Sequence, residues 1–306
     1  MSDSPLVIVV GPTGSGKSDL ALHLAETFHG EIVNCDSVQL YRYLDIGTAK
    51  TPLNERRGIP HHLIDILDPD QVFTAADYVR IARPVLAGIA HRGKIPVIAG
   101  GTGFYLRALL HGLSPGPERD EGLRERLLAR KDRLHRILQR LDPEAAARIH
   151  PNDVKKTIRA VEVCLVSRRR MTHMFETAGE PLDGFHILKI GLNPDKTHLN
   201  VRLDFRCQEM FNSGIVEEVQ AILHRGFPPE SKALESIGYA QALRLVQGAI
   251  DLPDAIALTQ AATRQYAKRQ RTWFRREPGV HWFEAFGHSA DVRRAGESLI
   301  LNTFFV

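Results

Sequence analysis

Eight consecutive residues, Gly11-Pro12-Thr13-Gly14-Ser15-Gly16-Lys17-Ser18, carry the clearest chemistry in this chain, because they fit the Walker A pattern between an apolar run and a helix start. Glycines let successive backbone N–H groups turn inward around phosphate oxygens. The helix N-terminus adds partial positive charge, Lys17 adds a full one, and the Ser18 hydroxyl can ligate magnesium. These donors read oxygens and charge rather than a base, so any diphosphate could occupy the loop. Asp36 closes a second apolar run, where its carboxylate could act as a base, bind magnesium or cap a helix. Thr102 follows Gly100-Gly101 at the end of a third run and could cap the next helix. His61 and His62 have no carboxylate or cysteine at metal spacing, so a structural or substrate-lining role is expected for them.

These groups need a frame that brings three strand ends together. The run 6–10 (LVIVV) reads as a strand, and Leu20, Leu24 and Phe28 recur at helical spacing after the loop. Further strands are expected over Glu31 to Asn34, Ile95 to Ala99 and His186 to Leu192, and a helix is expected to begin near Phe104. Strands alternating with helices imply an α/β fold with a parallel sheet, whose ligand crevice lies at the carboxyl ends of the strands. Composition changes at Ser114-Pro115-Gly116-Pro117, and the following residues read as Arg- and Leu-rich helices without a strand signal. The expected organisation is a core of residues 1–114 and 186–306, interrupted by a helical insert over 115–185. From Asn193-Pro194 a helical series is expected to run to about Arg276.

The formal net charge of +4 hides two basic regions. Arg119 to Arg170 holds 15 Lys/Arg against 8 Asp/Glu, and Arg264 to Arg276 holds six Lys/Arg and no acid. Such regions on a mildly acidic body point to a polyanion, or else to solvated amphipathic helices. In the second region Arg264, Lys268, Arg271 and Arg275 fall on one helical face, expected to follow a phosphate backbone. Tyr266 and Trp273 share another face, expected to pack inward or else to stack on a base. A chain of 306 residues with 43% hydrophobic content can bury its own core without staples. The three cysteines, Cys35, Cys164 and Cys207, fit neither a metal spacing nor a disulfide framework, so a reducing compartment is expected. The N-terminus shows no basic leader, and no apolar stretch approaches a membrane span, so the chain is expected to start directly in its fold and to be cytoplasmic.

Four further segments, NCDSVQLYRYLDIGTAK at 34–50, IPHHLID at 59–65, AGGTGFYLRALLHGL at 99–113 and TRQYAKRQRTWFR at 263–275, together with GPTGSGKS, closely resemble the bacterial tRNA dimethylallyltransferases. The resemblance implies a P-loop NTPase-like core with an inserted all-helical domain and a helical C-terminal region. It also implies that the loop holds dimethylallyl diphosphate with Mg2+, and that the insert and C-terminal helices grip the anticodon stem-loop of tRNA. It places Asp36 as the catalytic acid–base group, with Ser37, Val38 and Gln39 beside it against tRNA. Thr102 is placed near the reaction channel, and Arg202 or Arg206, from RLDFRCQEMF, reaches the diphosphate. The segments holding Lys155, Lys156, Thr157, Ile158 and Arg159, then Ile237, Gly238 and Tyr239, then Lys268, Arg269, Gln270, Arg271, Thr272, Trp273, Phe274 and Arg275 match stretches that lie against tRNA. Departures occur where the family commonly has an Arg and this chain reads Lys155-Lys156-Thr157, and at Ser167-Arg168-Arg169-Arg170 in place of a Thr-Gly pair. The C-terminal SLILNTFFV lacks the Cys/His cluster of eukaryotic relatives, which implies a bacterial-type enzyme, expected to be a monomer.

Three other functions remain consistent with parts of the sequence. A small-molecule P-loop kinase would share the loop and an aspartate but would leave the basic regions without a purpose. An adenylate isopentenyltransferase would share the core without needing KRQRTWFR. A noncatalytic RNA-binding module would leave Lys17, Ser18 and Asp36 unexplained.

Overall fold

The structure, a computed structural model, describes residues 3–114, 116–176 and 179–305. In chain order the first elements are β1 (Ser4–Val10), α1 (Lys17–Thr27), β2 (Glu31–Asn34), β3 (His61–His62), α2 (Ala75–His91), β4 (Pro96–Ala99) and α3 (Gly103–His111). Then come α4 (Glu121–Leu128), α5 (Leu134–Leu141), α6 (Pro143–Arg148), α7 (Val154–Ser167) and α8 (Met171–Glu176). The chain ends with β5 (Phe185–Leu192), α9 (Lys196–Asn212), α10 (Ile215–His224), α11 (Tyr239–Val246), α12 (Leu252–Phe274), β6 (Val280–Phe283) and α13 (Ala290–Phe304).

The six strands form one sheet in the order β3-β2-β4-β1-β5-β6, and every pairing is parallel. A parallel sheet buried on both faces selects near-continuous apolar strands, and Leu6 to Val10 are all essentially without solvent exposure. Val7 pairs with Val97 on one side and Leu188 on the other, which puts β1 at the centre and its carboxyl end between those of β4 and β5. Leu20 and Leu24 of α1 pack with Val292 and Ile300 of α13 against one face of the sheet. Each such fully buried aliphatic side chain stabilises the fold by roughly 1.5–3 kcal/mol. The edge strands β3 and β6 escaped the sequence reading. One is two residues long, and the other, Val280–Phe283, is too short and too exposed to show a period.

The chain divides into two compact units, residues 1–107 with 183–306, and residues 108–182. The break falls within α3, earlier than the expected Pro/Gly linker, whose Pro115 lies outside the described residues. Within 108–182, Leu182 N–H donates to the Leu110 carbonyl at 3.0 Å, and the Gly112 backbone lies so close to Gly179 that a Cβ there would meet it at 2.5 Å.

The 108–182 unit has its own core of Leu127, Leu134, Leu138, Ile158 and Val161. Beside it sits Glu162, whose side chain has no exposed surface. It accepts from Arg124 at 2.7 and 2.8 Å, from Arg159 at 2.6 Å and from the Asp120 N–H at 2.9 Å. Burial alone would raise the Glu162 pKa, but these hydrogen bonds outweigh it and bring the pKa down from 4.5 to about 2. A depressed carboxylate contributes stability that is complete above 4.5 and is lost as pH falls through about 2. Glu162→Ala leaves two guanidinium groups without their partner and is expected to cost this unit about 3–5 kcal/mol. Thermal unfolding of wild type and variant between neutral and acid pH checks this, with the difference shrinking as pH falls.

Candidate active site

The loop after β1 adopts its shape because glycine occupies the positions that no other residue fits. Gly14 has φ +76°, and a Cβ there would meet Leu203 at 2.7 Å; Gly16 has φ +87° and is packed against the backbone of Gly287. Gly16 also caps α1 without any side-chain bond, which leaves the first-turn N–H groups unblocked for a ligand. Thr13, Gly14, Gly16, Lys17 and Ser18 line a cavity of about 590 Å³. Gly11, Pro12 and Ser15 do not line it; they build the turn beneath, and the Ser15 side chain is fully buried. Not every loop amide faces inward as expected. Thr13 N–H donates to Gln270 Oε1 at 2.7 Å, and Ser15 N–H points to the Pro12 carbonyl at 3.3 Å. Lys17 Nζ donates to the Pro12 carbonyl at 2.8 Å. Burial pulls its pKa down to about 8, opposed by the Asp36 carboxylate and assisted by Arg206.

At the end of β2, Asn34 folds the chain back on itself. Its Oδ1 accepts from Asp36 N–H at 3.0 Å and its amide donates to the Asp36 carbonyl at 3.1 Å and the Leu63 carbonyl at 2.9 Å. Asp36 Oδ1 accepts from Val38 N–H at 2.9 Å, and Oδ2 is directed toward Gly101, 3.8 Å from where a Cβ on that residue would sit. Asp36 therefore caps its own turn with one oxygen and leaves the other out of that turn. Thr102 Oγ1 accepts from Ser37 N–H at 2.9 Å and donates to Ser37 Oγ at 3.3 Å, and the Tyr266 hydroxyl also interacts with this side chain. Thr102 lines neither cavity and acts as a positioning residue for the Asp36 loop. The helix-start reading of Thr102 holds only for its backbone carbonyl, which accepts from Tyr105 and Leu106.

A second cavity, of about 310 Å³, lies on the other side of Asp36, with Ser37, Val38, Cys207, Met210, Tyr266 and Arg269 in its wall. Thr13, Asp36, Thr48 and Arg206 belong to both cavities. The seam is therefore where groups held in the two spaces would meet. Arg206 occupies it, with Nη1 3.5 Å from Thr13 Oγ1 and its buried Nε without a partner among the described residues. Burial depresses its pKa, the neighbouring Cys207 and Asp36 oppose this, and Arg202 adds to it. Arg202 is exposed, lies 5.2 Å from the Phe286 ring centroid, and meets His288 Nδ1 at 3.1 Å. It faces the first cavity only.

Several contacts at the site were not legible in the sequence. Gln270 joins the phosphate loop to the β4 loop, donating to the Gly101 carbonyl at 2.8 Å while it accepts from Thr13. Thr48 is held by Gln39, whose Nε2 donates to the Thr48 carbonyl at 3.1 Å. Lys50 is buried against the Tyr41 carbonyl, Asp45 and Asp65 at 2.6, 2.7 and 2.6 Å. Only the motif position of Lys50 within 34–50 hinted at it; its partners have no recognisable spacing.

The family model described as IPP transferase matches residues 39–277. A tRNA dimethylallyltransferase from Solibacter usitatus is 58% identical over 293 residues, covering 94% of this chain and 95% of its own. The chain belongs to the IPP transferase family. The crystal structure of a full-length tRNA isopentenylpyrophosphate transferase from Bacillus halodurans matches with a TM-score of 0.72 at 33% identity, over 98% of both chains. A eukaryotic dimethylallyltransferase acting on tRNA matches with a TM-score of 0.82 at 28% identity, over 99% of this chain and 79% of its own. The parallel-sheet core and its helices are thus those of IPP transferases.

Burial corrects part of the expected RNA-facing set of this IPP transferase. Thr157 and Ile158 are turned into the core of their unit, and Arg159 is engaged by Glu162 and the Pro117 carbonyl. Lys155 and Lys156 remain exposed, Lys156 paired with Asp153 at 2.7 Å. Gly238 and Tyr239 are buried; the Tyr239 hydroxyl donates to Glu218 at 2.6 Å and accepts from Gly47 N–H at 3.0 Å, which fixes the loop carrying Thr48. Ile237 reaches the second cavity. On α12, Gln270 and Phe274 are buried, Arg271 Nε donates to Asn193 Oδ1 at 2.9 Å, and Arg264 pairs with Asp204. The face expected to follow a phosphate backbone is therefore half occupied by the protein itself. Lys268, Arg269, Thr272, Trp273 and Arg275 are the exposed ones. Tyr266 turns inward, and Trp273 is packed against Gly103 along one edge while 38% of it stays exposed.

Proposed function

We infer that this enzyme transfers a dimethylallyl group from dimethylallyl diphosphate to the exocyclic amine of the adenosine adjacent to the anticodon in tRNA, releasing diphosphate. The observation that carries this reading is the seam: one cavity walled by the phosphate loop, a second open to an acceptor, and Asp36 and Arg206 in both. The diphosphate sits in the first cavity on Gly14, Gly16, Lys17 and Ser18. The adenine enters the second, extruded from its loop at a cost of a few kcal/mol that backbone and stacking contacts offset. Its amine is a poor nucleophile because the lone pair is delocalised into the ring. As nitrogen bonds to the allylic carbon and the carbon–oxygen bond breaks, Asp36 Oδ2 takes the amine proton. Lys17, the α1 amides and Arg206 stabilise the charge that develops on the leaving diphosphate.

A magnesium ion suits this donor set. Among the described residues there is no group of three His, Cys, Asp or Glu side chains that could hold a metal, so the ion would rest on Ser18, water and the diphosphate itself. When bound it would neutralise phosphate charge. No helix among the described residues is long and apolar enough to cross a membrane. We place the enzyme in the cytoplasm, working as a monomer.

The test is incubation with labelled dimethylallyl diphosphate and either tRNA or AMP. Label is expected on tRNA alone. Label on AMP would instead support an adenylate isopentenyltransferase, and phosphate transfer from ATP a kinase.

A further inference from the structure

The geometry points to an RNA-stacking surface outside both cavities, formed by Phe104 and Trp273 and flanked by Arg107, that receives a second, unmodified base of the loop carrying the target adenosine. It rests on tRNA being the acceptor, and extends that reading to Phe104 and Arg107 on α3.

Tyr266 and Arg269 line the acceptor cavity, with the Arg269 guanidinium 5.7 Å from the Tyr266 ring centroid. Trp273 follows on the same face of α12, four residues beyond Arg269 and seven beyond Tyr266, so the wall of the cavity continues outward along this helix. The indole is seated against the first turn of α3. A Cβ on Gly103 would come within 2.2 Å of its Cδ1 and Nε1, so only glycine leaves room for the ring. The next residue, Phe104, is 53% exposed, and Arg107 stands exposed three residues later on the same side of α3.

Phe104 and the uncovered part of Trp273 leave aromatic surface at adjoining places, which marks an interaction site. The surroundings say what binds there. Lys268, Arg269 and Arg275 are exposed nearby on α12, and there is no acidic residue between Arg264 and Arg276. Aromatic faces set among cations fit an unpaired nucleobase with its phosphate, since every base offers a π-face and every linkage a negative charge. Extruding the target adenosine also breaks the stack on either side of it, which supplies a base in need of a new partner.

The experiment measures steady-state transfer to an anticodon stem-loop with wild type, Phe104→Ala and Trp273→Ala, using loops that carry an abasic residue at each position flanking the target. Each protein variant is expected to raise KM for RNA about 5- to 100-fold, the range for losing one stacked base, with the loss falling on KM rather than kcat and KM for dimethylallyl diphosphate little changed. Phe104→Trp and Trp273→Phe are expected to recover most of it. An abasic residue at one flanking position should penalise wild type by a similar factor and Phe104→Ala by almost nothing further. Phe104 is on the surface, so its variant keeps the fold, which a melting curve verifies. If Phe104→Ala binds RNA as wild type does, or if its penalty multiplies independently with every abasic position, the surface has no such role while the functional reading stands. If wild type transfers nothing to RNA, both fall.

Discussion

Asp36→Asn is expected to lower the rate of prenyl transfer about 10²- to 10⁴-fold, the usual contribution of a positioned general base. The substitution keeps the shape of the side chain and its acceptance from Val38 N–H, so the turn after β2 should persist. What disappears is the carboxylate charge on the second oxygen, at the seam of the two cavities. Because that loss concerns only the step in which the amine surrenders its proton, it should appear equally in kcat and kcat/KM. Affinity for tRNA, measured by filter binding, should change by no more than about threefold, since most of it comes from cation–phosphate contacts. Retention of near-normal turnover would mean that the proton leaves by another route. A large loss of tRNA affinity with normal single-turnover chemistry would make Asp36 a binding group only.

Arg206→Ala is expected to cost about 10²- to 10³-fold in kcat, comparable to removing one donor from a preorganised anion site. Arg206 is half-buried, shared by both cavities, and has a buried Nε without a protein partner among the described residues, so a ligand is the natural recipient of that donor. Arg202→Ala should do much less. Arg202 is exposed, rests on Phe286 and His288, and faces only the diphosphate cavity, so its loss should raise KM for dimethylallyl diphosphate several-fold with kcat largely kept. Arg206→Lys restores charge without the planar fork and should fall between wild type and Ala. Pre-steady-state transfer from labelled donor separates the two parameters. Equal effects of the two alanine variants on kcat would remove the assignment of Arg206 to the seam.

The parts of this protein readable from the residues alone are those in which one short segment holds both the signal and its cause. The Walker A loop needs glycines for its backbone, a lysine and a serine for its ligand, and an apolar strand before it, all within 6–18. Asp36 stands at the end of β2 because strand and turn adjoin in sequence. The basic character of 119–170 and 264–276 is a property of composition. The long motifs that resemble the family extend this to function, since the spacing of several segments along a chain is specific even when each contact is unknown.

What only the folded chain decided is which faces of those segments remain available. Periodicity places Arg264, Lys268, Arg271 and Arg275 on one side of α12, but it cannot know that Asp204 and Asn193 come from α9 and the loop before it to claim two of them. Gln270 looks like another polar residue in a basic stretch, yet it lies 257 residues from the Thr13 amide that it holds. Arg202 and Arg206 lie on the same side of a helical wheel drawn in isolation; the packing of α9 against α12 leaves Arg206 half-buried at the seam and Arg202 exposed. The Thr102 hydroxyl is tied to Ser37, 65 residues away along the chain. In each case the deciding partner is remote in sequence, and a hydrogen bond or a burial between remote residues has no local signature, because it exists only once the sheet has brought the strand ends together.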